Sequence, residues 1–506
     1  MEYDKKDYLC RLKSKVVFFF LSTMKRTLTT AIALLSIIVA FAQGADDACL
    51  FSQTFYQGTA KSMGMGNAMG AVGGDMTSIC INPAGMGIYR SNEFTTTLSL
   101  MDNYERSTYY GTSNGANKMR LSIPNIGYVN TKQRSNFRPL RFTQYGIGLT
   151  RTNDFNEHTI SKGINPTSSK IDSYLAQIDG YSEFELRDNF PFDIYPAWST
   201  YLIDLYEDEI GPYYNSPVPQ GNIWQGQENI FKGRSEEWTF AGSANYFDQL
   251  FLGISVNLDH VKRVGTRTFK ESRVEGSDTE FNQWSYEEDL SSNALGGNLK
   301  VGLLYLANPW LRFGAAFHSP TLYNFDETWQ TETESQILSV TRKYISPESH
   351  YEYTFIQPLK WVGSMAFVIG QQGIISLDAE YTNYGAGRFK ADDYDYSPVN
   401  EDIKNTYGRT FNFRLGSEWS LGASYLRLGA AYYGSPFGLG ETGGSVKKAS
   451  CGISLPVSFD TTFDFAYELT YGQSYHIFYD AGELGIESVT QKQFRNLVAA
   501  TLKVKF

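Results

Sequence analysis

From about Ser91 to Phe506 the chain alternates apolar and polar positions with a period of two. Leu252, Ile254, Val256 and Leu258 alternate with Gly253, Ser255, Asn257 and Asp259, and Ile375, Leu377, Ala379 and Tyr381 with Ser376, Asp378, Glu380 and Thr382. Phe463, Phe465, Tyr467 and Leu469 alternate in the same way with Asp464, Ala466, Glu468 and Thr470. An apolar face backed by Asp, Glu and Asn suits a strand with lipid on one side and a polar lumen on the other. Fourteen such stretches are readable: 91–103, 118–131, 142–156, 235–248, 250–271, 283–307, 311–328, 351–370, 373–390, 407–420, 424–437, 447–459, 462–479 and 491–506. Tight turns at Asp248-Gln249, Asn308-Pro309, Gln371-Gln372, Leu421-Gly422 and Asp460-Thr461 alternate with long polar links. An even strand number with short turns at one end and long loops at the other predicts an all-β, 14-stranded antiparallel transmembrane barrel. A soluble β-sandwich shows similar alternation, without the export signals that follow.

The last stretch ends with Val498, Ala500, Leu502, Val504 and Phe506 on one face and Lys503 and Lys505 on the other. A terminal aromatic on such a strand resembles the signal read by the barrel insertion machinery. At the other end, Met24-Lys25-Arg26 precedes an apolar run that closes on Ala40-x-Ala42, the form of a cleavable signal peptide. Residues 1–42 read as extension plus leader, with the natural start at Met24 and export to the outer membrane. Composition agrees: 35 Tyr and 34 Phe against 10 Met favour strands and membrane–water boundaries.

Little else suggests chemistry. After cleavage Cys49, Cys80 and Cys451 remain, an odd number; a Cys49–Cys80 bridge is conceivable in an oxidising compartment. The five histidines form no zinc spacing, and the acidic runs Glu207-Asp208-Glu209 and Asp392-Asp393-x-Asp395 match no EF-hand. No GxSxG occurs. No enzyme activity, cofactor, metal or nucleic acid is expected.

Before the first strand, residues 43–90 carry seven glycines between Gly64 and Gly87. The Gly64-x-Gly66 start imitates a dinucleotide cradle, but no strand precedes it. Fourteen strands enclose a bore too wide for wall side chains alone to fill. A small, glycine-rich segment suits a plug folded tightly inside it. Residues 43–90 are therefore read as a hatch and 91–506 as the barrel.

The stretch Ser62–Met86, ending in Asn82-Pro83-Ala84, resembles the FadL-type outer-membrane transport family, whose members carry a glycine-rich hatch ending in Asn-Pro-Ala. Phe317-His318-Ser319-Pro320 is similar to a recurring turn of that family. The resemblance spans nearly all of the mature chain. It implies passive, hatch-gated uptake of hydrophobic molecules, classically long-chain fatty acids, with gating at Asn82, Pro83, Ala84 and Gly85. Some members are labelled haemin receptors, so a haem receptor is the alternative, with His158 and His350 in expected loops. Lipid, lipopolysaccharide and a hydrophobic ligand are the implied partners of a monomeric barrel.

The longest link, 157–234, carries Ile171, Tyr174, Leu175 and Ile178, then Trp198, Tyr201, Leu202 and Leu205, at helical spacing. Their apolar faces form either a capture groove or a packed lid. In the second strand the alternation breaks at Pro124, and the third strand carries Gly146 and Gly148. These mark either a lateral opening in the wall, the exit favoured in the family, or an ordinary bulge.

Overall fold

The computed structural model describes residues 44–506 apart from 135–136, 179, 208–210, 277–278 and 441–442. The leader expected at 1–42 and two of the three residues in the first acidic run lie outside the described residues. The barrel strands are β1 (Glu93–Tyr109), β2 (Thr112–Gln133), β3 (Leu140–Asp154 and Glu157–Asn165), β4 (Ile223–Tyr246) and β5 (Leu250–Arg273). They continue as β6 (Phe281–Asn308), β7 (Leu311–His318 and Thr321–Ile337) and β8 (Val340–Ile345, Ser349–Gln357 and Lys360–Ile369). The rest are β9 (Gly373–Asn383 and Arg388–Lys390), β10 (Arg409–Leu421), β11 (Ser424–Tyr433), β12 (Val446–Pro456), β13 (Thr461–His476) and β14 (Val489–Lys505). Each pairs antiparallel with its neighbours, and β1 closes on β14 from Glu93↔Lys505 to Thr108↔Thr490.

Exposure follows the alternation with the sign a bilayer demands. Leu252, Ile254, Val256 and Leu258 face outward, while Ser255, Asn257 and Asp259 are buried in the lumen. A hydrocarbon solvent outside rewards this inversion of a soluble protein's pattern, and closure pairs the first strand with the last.

Two of the expected long links are ribbons instead. β1 and β2 join through Tyr110-Gly111, both in the left-handed region (φ 42° and 72°), and β7 and β8 through Leu338-Ser339. The left-handed pair matches the twist of a two-residue hairpin. Both ribbons extend beyond the apolar belt, so 104–117 and 329–345 are largely strand. The long link is shorter than expected as well: 157–165 belongs to β3 and 223–234 to β4, leaving a loop of 166–222.

Inside the wall the chain first forms α1 (Ala45–Ser52), then α2 (Ala60–Gly64), α3 (Met76–Ile81) and a 3-10 turn (Pro83–Ile88). Helix α1 lies toward the loop end, where Phe51 meets Phe155 and Phe325 and Gln357 donates to the Phe51 carbonyl. From there the plug descends to the short-turn end and enters β1. Cys49 and Cys80 are both free and buried, in different packing clusters, so the conceivable bridge is absent.

Candidate functional site

Glycines of the wall admit the plug at close range. Gly253 and Gly302 let the strands approach Pro83 and Asn82 so closely that an added Cβ would fall 2.3 Å from the Ala84 nitrogen and 2.0 Å from Asn82 Oδ1. Asn82 uses that proximity. Its Nδ2 donates to Gly70 O at 2.8 Å and to Leu303 O of β6 at 3.0 Å, while its Oδ1 accepts from Ala84 N at 3.1 Å. One side chain thus joins both ends of the glycine segment to the barrel and caps the turn begun by Pro83. Gly85 packs on Gly73, whose φ of 67° only glycine adopts easily.

Charged wall residues complete the attachment. Lys300 donates to Cys80 O and pairs with Glu237 at 2.6 Å, and His318 Nε2 bonds Ile81 O at 2.9 Å. Asp378 Oδ2 accepts from Gly70 N, and Lys503 bridges Asp464 at 2.7 Å and Asp75 at 3.3 Å. Of the lumenal carboxylates singled out in the sequence, Asp378 and Glu380 pair with Arg414 and Asp464 with Arg427, whereas Glu468 takes Lys448. Buried charge without a partner is costly, so such pairs hold a plug in one register.

The wall has a break in its ladder. β2 pairs with β1 along nearly its whole length, but with β3 only between Asn125↔Thr150 and Gln133↔Phe142. Residues 112–124 have no backbone partner on the β3 side, because the second run of β3 stays on β4. Pro124 stands at the departure point, where the β1–β2 register slips between Thr97 and Ser99. Side chains bridge the break: Lys118 donates to Glu157 O and Phe231 O, and Arg120 to Asp154 and Gly233 O. Inside, the plug replaces β2, since Phe55 N donates to Thr152 O at 2.7 Å and Gln57 N to Arg151 O at 2.9 Å. Gly146 and Gly148 do not bend β3, whose pairing with β4 is regular there. They leave space for the plug's Met86 and Met76.

The loop residues read as either a groove or a packed lid largely pack together, over one end of the barrel. Helices α4 (Lys170–Leu175), α5 (Glu183–Asn189) and α6 (Ile194–Ser199) bring Ile171, Tyr174, Ile178 and Leu202 into one buried cluster with Phe269, Trp284 and Tyr479. Leu175 and Trp198 pack on its edge, whereas Tyr201 and Leu205 are exposed. The second helical run stops at Ser199, because Tyr201 turns left-handed (φ 60°) and Leu205 enters the ribbon Asp204–Glu207. Glu271 at the end of β5 ties the lid down. It accepts from Ser169 Oγ, Lys170 N, Gln225 Nε2 and Trp284 Nε1, at 2.7, 2.9, 2.7 and 2.7 Å. Burial also raises the Asp193 carboxyl, the N-cap of α6, to about 6.

Between the plug and the inner wall lies a lumenal cavity of about 330 Å3 bounded by Leu50, Phe55, Phe155, Lys448, Thr470 and Arg495. Sequence reasoning missed it, as its lining is gathered from several strands and the plug, far apart in the chain. His158 and His350 are on strands rather than loops. His158 bonds Glu228 at 2.8 Å, and His350 is exposed beside Asp326 and Glu352. The two do not converge on this cavity.

No protein-family model and no curated protein sequence matches the chain. Among solved structures it is similar to a FadL homologue of Pseudomonas aeruginosa, with 11% identity, a TM-score of 0.56, and coverage of 90% of this chain and 99% of that one. It is also similar to the toluene transporter TodX of Pseudomonas putida, at 12% identity, TM-score 0.51 and 90% and 100% coverage. The Ralstonia pickettii toluene transporter TbuX gives 14%, 0.51, and the same coverage of 90% and 100%. Closed barrel and lumenal plug together place this chain in the FadL-type fold.

Proposed function

We propose that this protein is an outer-membrane transporter that passes hydrophobic or amphipathic molecules passively through a plugged barrel, with release sideways between β2 and β3. The observation that carries the reading is the break in the wall above Asn125↔Thr150, closed from within by the plug's own backbone. Movement of the plug then exposes an edge that opens toward lipid, a path suited to a solute that avoids water. The resemblance in fold to a FadL homologue and to two toluene transporters supports the same reading.

Capture is assigned to the outside of the lid. Its core is sealed, but Phe184, Tyr201, Leu205, Tyr206 and Tyr213 present exposed apolar surface. Such a patch retains an apolar solute at the polar lipopolysaccharide layer. Asn82, Pro83, Ala84 and Gly85 act as the hatch's anchor, and Pro124 marks the wall opening.

Native mass spectrometry of the mature protein, offered a long-chain fatty acid and haemin in competition, tests this. Retained fatty acid that is lost on replacing Tyr201 and Leu205 with serine supports the transporter and its capture patch. Stoichiometric haemin without fatty acid overturns it in favour of haem acquisition.

A further inference from the structure

The outer face of the wall carries a groove of about 520 Å3 at the loop end, running from the second stretch of β3 across β4, β5 and β6 to the β7 ribbon. Trp224 of β4 is its aromatic surface. The indole lies over Gly226, where an added Cβ would fall 2.6 Å from ring atom Cη2 and 3.1 and 3.2 Å from its two ring neighbours, the spacing of contact with the ring face. Gly226 is in register with Lys162 on one side and Lys270 on the other, both exposed, so the ring is held between two lysines. Ser272 pairs with Trp224, and Gln283, Ser285, Glu334 and Gln336 continue the same outward face. Among the described residues the side chains of Lys162, Lys270, Gln283 and Gln336 make no hydrogen bond or ion pair with the protein. Arg273 and Glu275 rim the groove at the top of β5.

Height decides which part of the surroundings reaches it. On β5 the unbroken apolar run ends at Leu258, and Lys270 stands twelve residues further on. With a strand rise of about 3.3 Å and a tilt of about 40°, that is roughly 30 Å above the belt. Acyl chains end far below this level, whereas the saccharide of lipopolysaccharide surrounds it. A sugar ring has a face of C–H groups and a rim of hydroxyls. The C–H face packs on an indole, and the hydroxyls exchange hydrogen bonds with amide, hydroxyl and carboxylate side chains. The two lysines beside the ring match carboxylate or phosphate substituents. An apolar solute would strip water from the same polar groups and return nothing.

From this we infer that the groove at Trp224 binds the acidic saccharide of the surrounding lipopolysaccharide. Trp224 stacks on a sugar ring, Lys162 and Lys270 hold its anionic substituents, and Gln283 and Gln336 take its hydroxyls. The site tethers the exposed end of the barrel to the polysaccharide layer. It lies outside the wall and does not depend on what passes through the lumen.

The test uses the full mature protein in a detergent without a sugar head, titrated calorimetrically with three probes. These are lipid-free polysaccharide released from the lipopolysaccharide of the bacterium that makes the protein, neutral dextran of matched length, and dodecanol. Trp224→Ala, Trp224→Phe and the double variant Lys162→Gln/Lys270→Gln are each first shown to migrate as folded barrels on an unheated gel. The expected result is binding of the polysaccharide in preference to dextran, weakened about tenfold or more by Trp224→Ala and less by Trp224→Phe. The lysine pair variant should lose the preference over dextran. If Trp224→Ala does not fold, the phenylalanine and lysine variants carry the same comparison. Dextran bound as tightly as the polysaccharide keeps a stacking surface but overturns the acidic ligand. Dodecanol bound in a Trp224-dependent way without the polysaccharide overturns the saccharide site and makes the groove an apolar one. Polysaccharide binding that is absent, or unchanged in all three variants, overturns the proposal and leaves the transport reading untouched.

Discussion

Phe55 of the plug donates its backbone N–H to the carbonyl of Thr152 in β3 at 2.7 Å, just beyond the last residue pair that β3 shares with β2. The plug is therefore a partner of the wall at this broken seam, and displacement of one exposes the other. If plug and seam move together, the amides of Phe55 and Gln57 exchange slowly in the free protein and faster with bound cargo. Hydrogen exchange measured with and without laurate checks this; identical protection in both states separates plug from seam.

Met76 fills the space that two glycines leave in adjacent strands: an added Cβ at Gly148 would lie 2.0 Å from Met76 Cε and one at Gly127 would lie 2.4 Å from Met76 Sδ. Gly148→Val forces the methionine out and is expected to lower the thermal midpoint. Met76→Ala leaves a hole and costs roughly 2–5 kcal/mol. Combined, the two changes compensate in part, so the double variant is more stable than the sum of the single losses predicts. Strict additivity in unfolding midpoints would mean that this contact does not hold the plug.

Replacing Asn82 by Asp removes the amide that donates to Gly70 O and Leu303 O and turns carboxylate oxygens toward both carbonyls. Each orphaned buried group costs about 1–3 kcal/mol. The wall itself keeps its ladder, so the barrel stays folded while the plug loosens. Planar-bilayer recordings should show a steady leak in N82D that the unaltered protein lacks.

Glu271 accepts four hydrogen bonds that lash the lid to β4, β5 and β6. A glutamine in either amide orientation turns a donor toward two of those donors. At about 1 kcal/mol or more per lost bond, E271Q should open the lid about tenfold more often or beyond. Amide exchange across 169–175 reads this directly.

The lid also responds to pH through Asp193, whose carboxyl burial raises from 3.8 to about 6 despite its bond from Ile194 N and the attraction of Lys170. The folded lid holds this proton more tightly than the open one. Its contribution to closure is complete below about pH 4, falls as pH rises toward 6, and is gone above that. Trp198 fluorescence should report progressive opening between about pH 4 and 6, and D193N should flatten the profile over that interval.

Much of this architecture is legible in the chain, and the places where reading stops have physical causes. Strand positions inside the apolar belt follow the alternation because lipid rewards one face and lumen the other. Beyond the belt there is no lipid, and the ribbon residues Thr331, Thr333 and Ser335 are buried with Thr331 and Ser335 bonded to carbonyls of the lid, so their alternation with Glu332 and Glu334 carries no apolar face to read. Asn82 is recognisable because its motif is local. Pro124 is recognisable because proline interrupts any strand, whereas Gly146 and Gly148 look like a bend and prove to be room for two methionines.

Lys162, Trp224 and Lys270 show no motif, since they become neighbours only through the register of three strands. By itself the sequence determined period, strand number, polarity of each face and a plug rich in glycine, all consequences of local backbone preference and of transfer between water and hydrocarbon. Only the tertiary structure decided where β2 leaves β3 and how the plug is bound. Those depend on closure of the ring, which brings together residues as distant as Ala60 and Thr501, 441 positions apart.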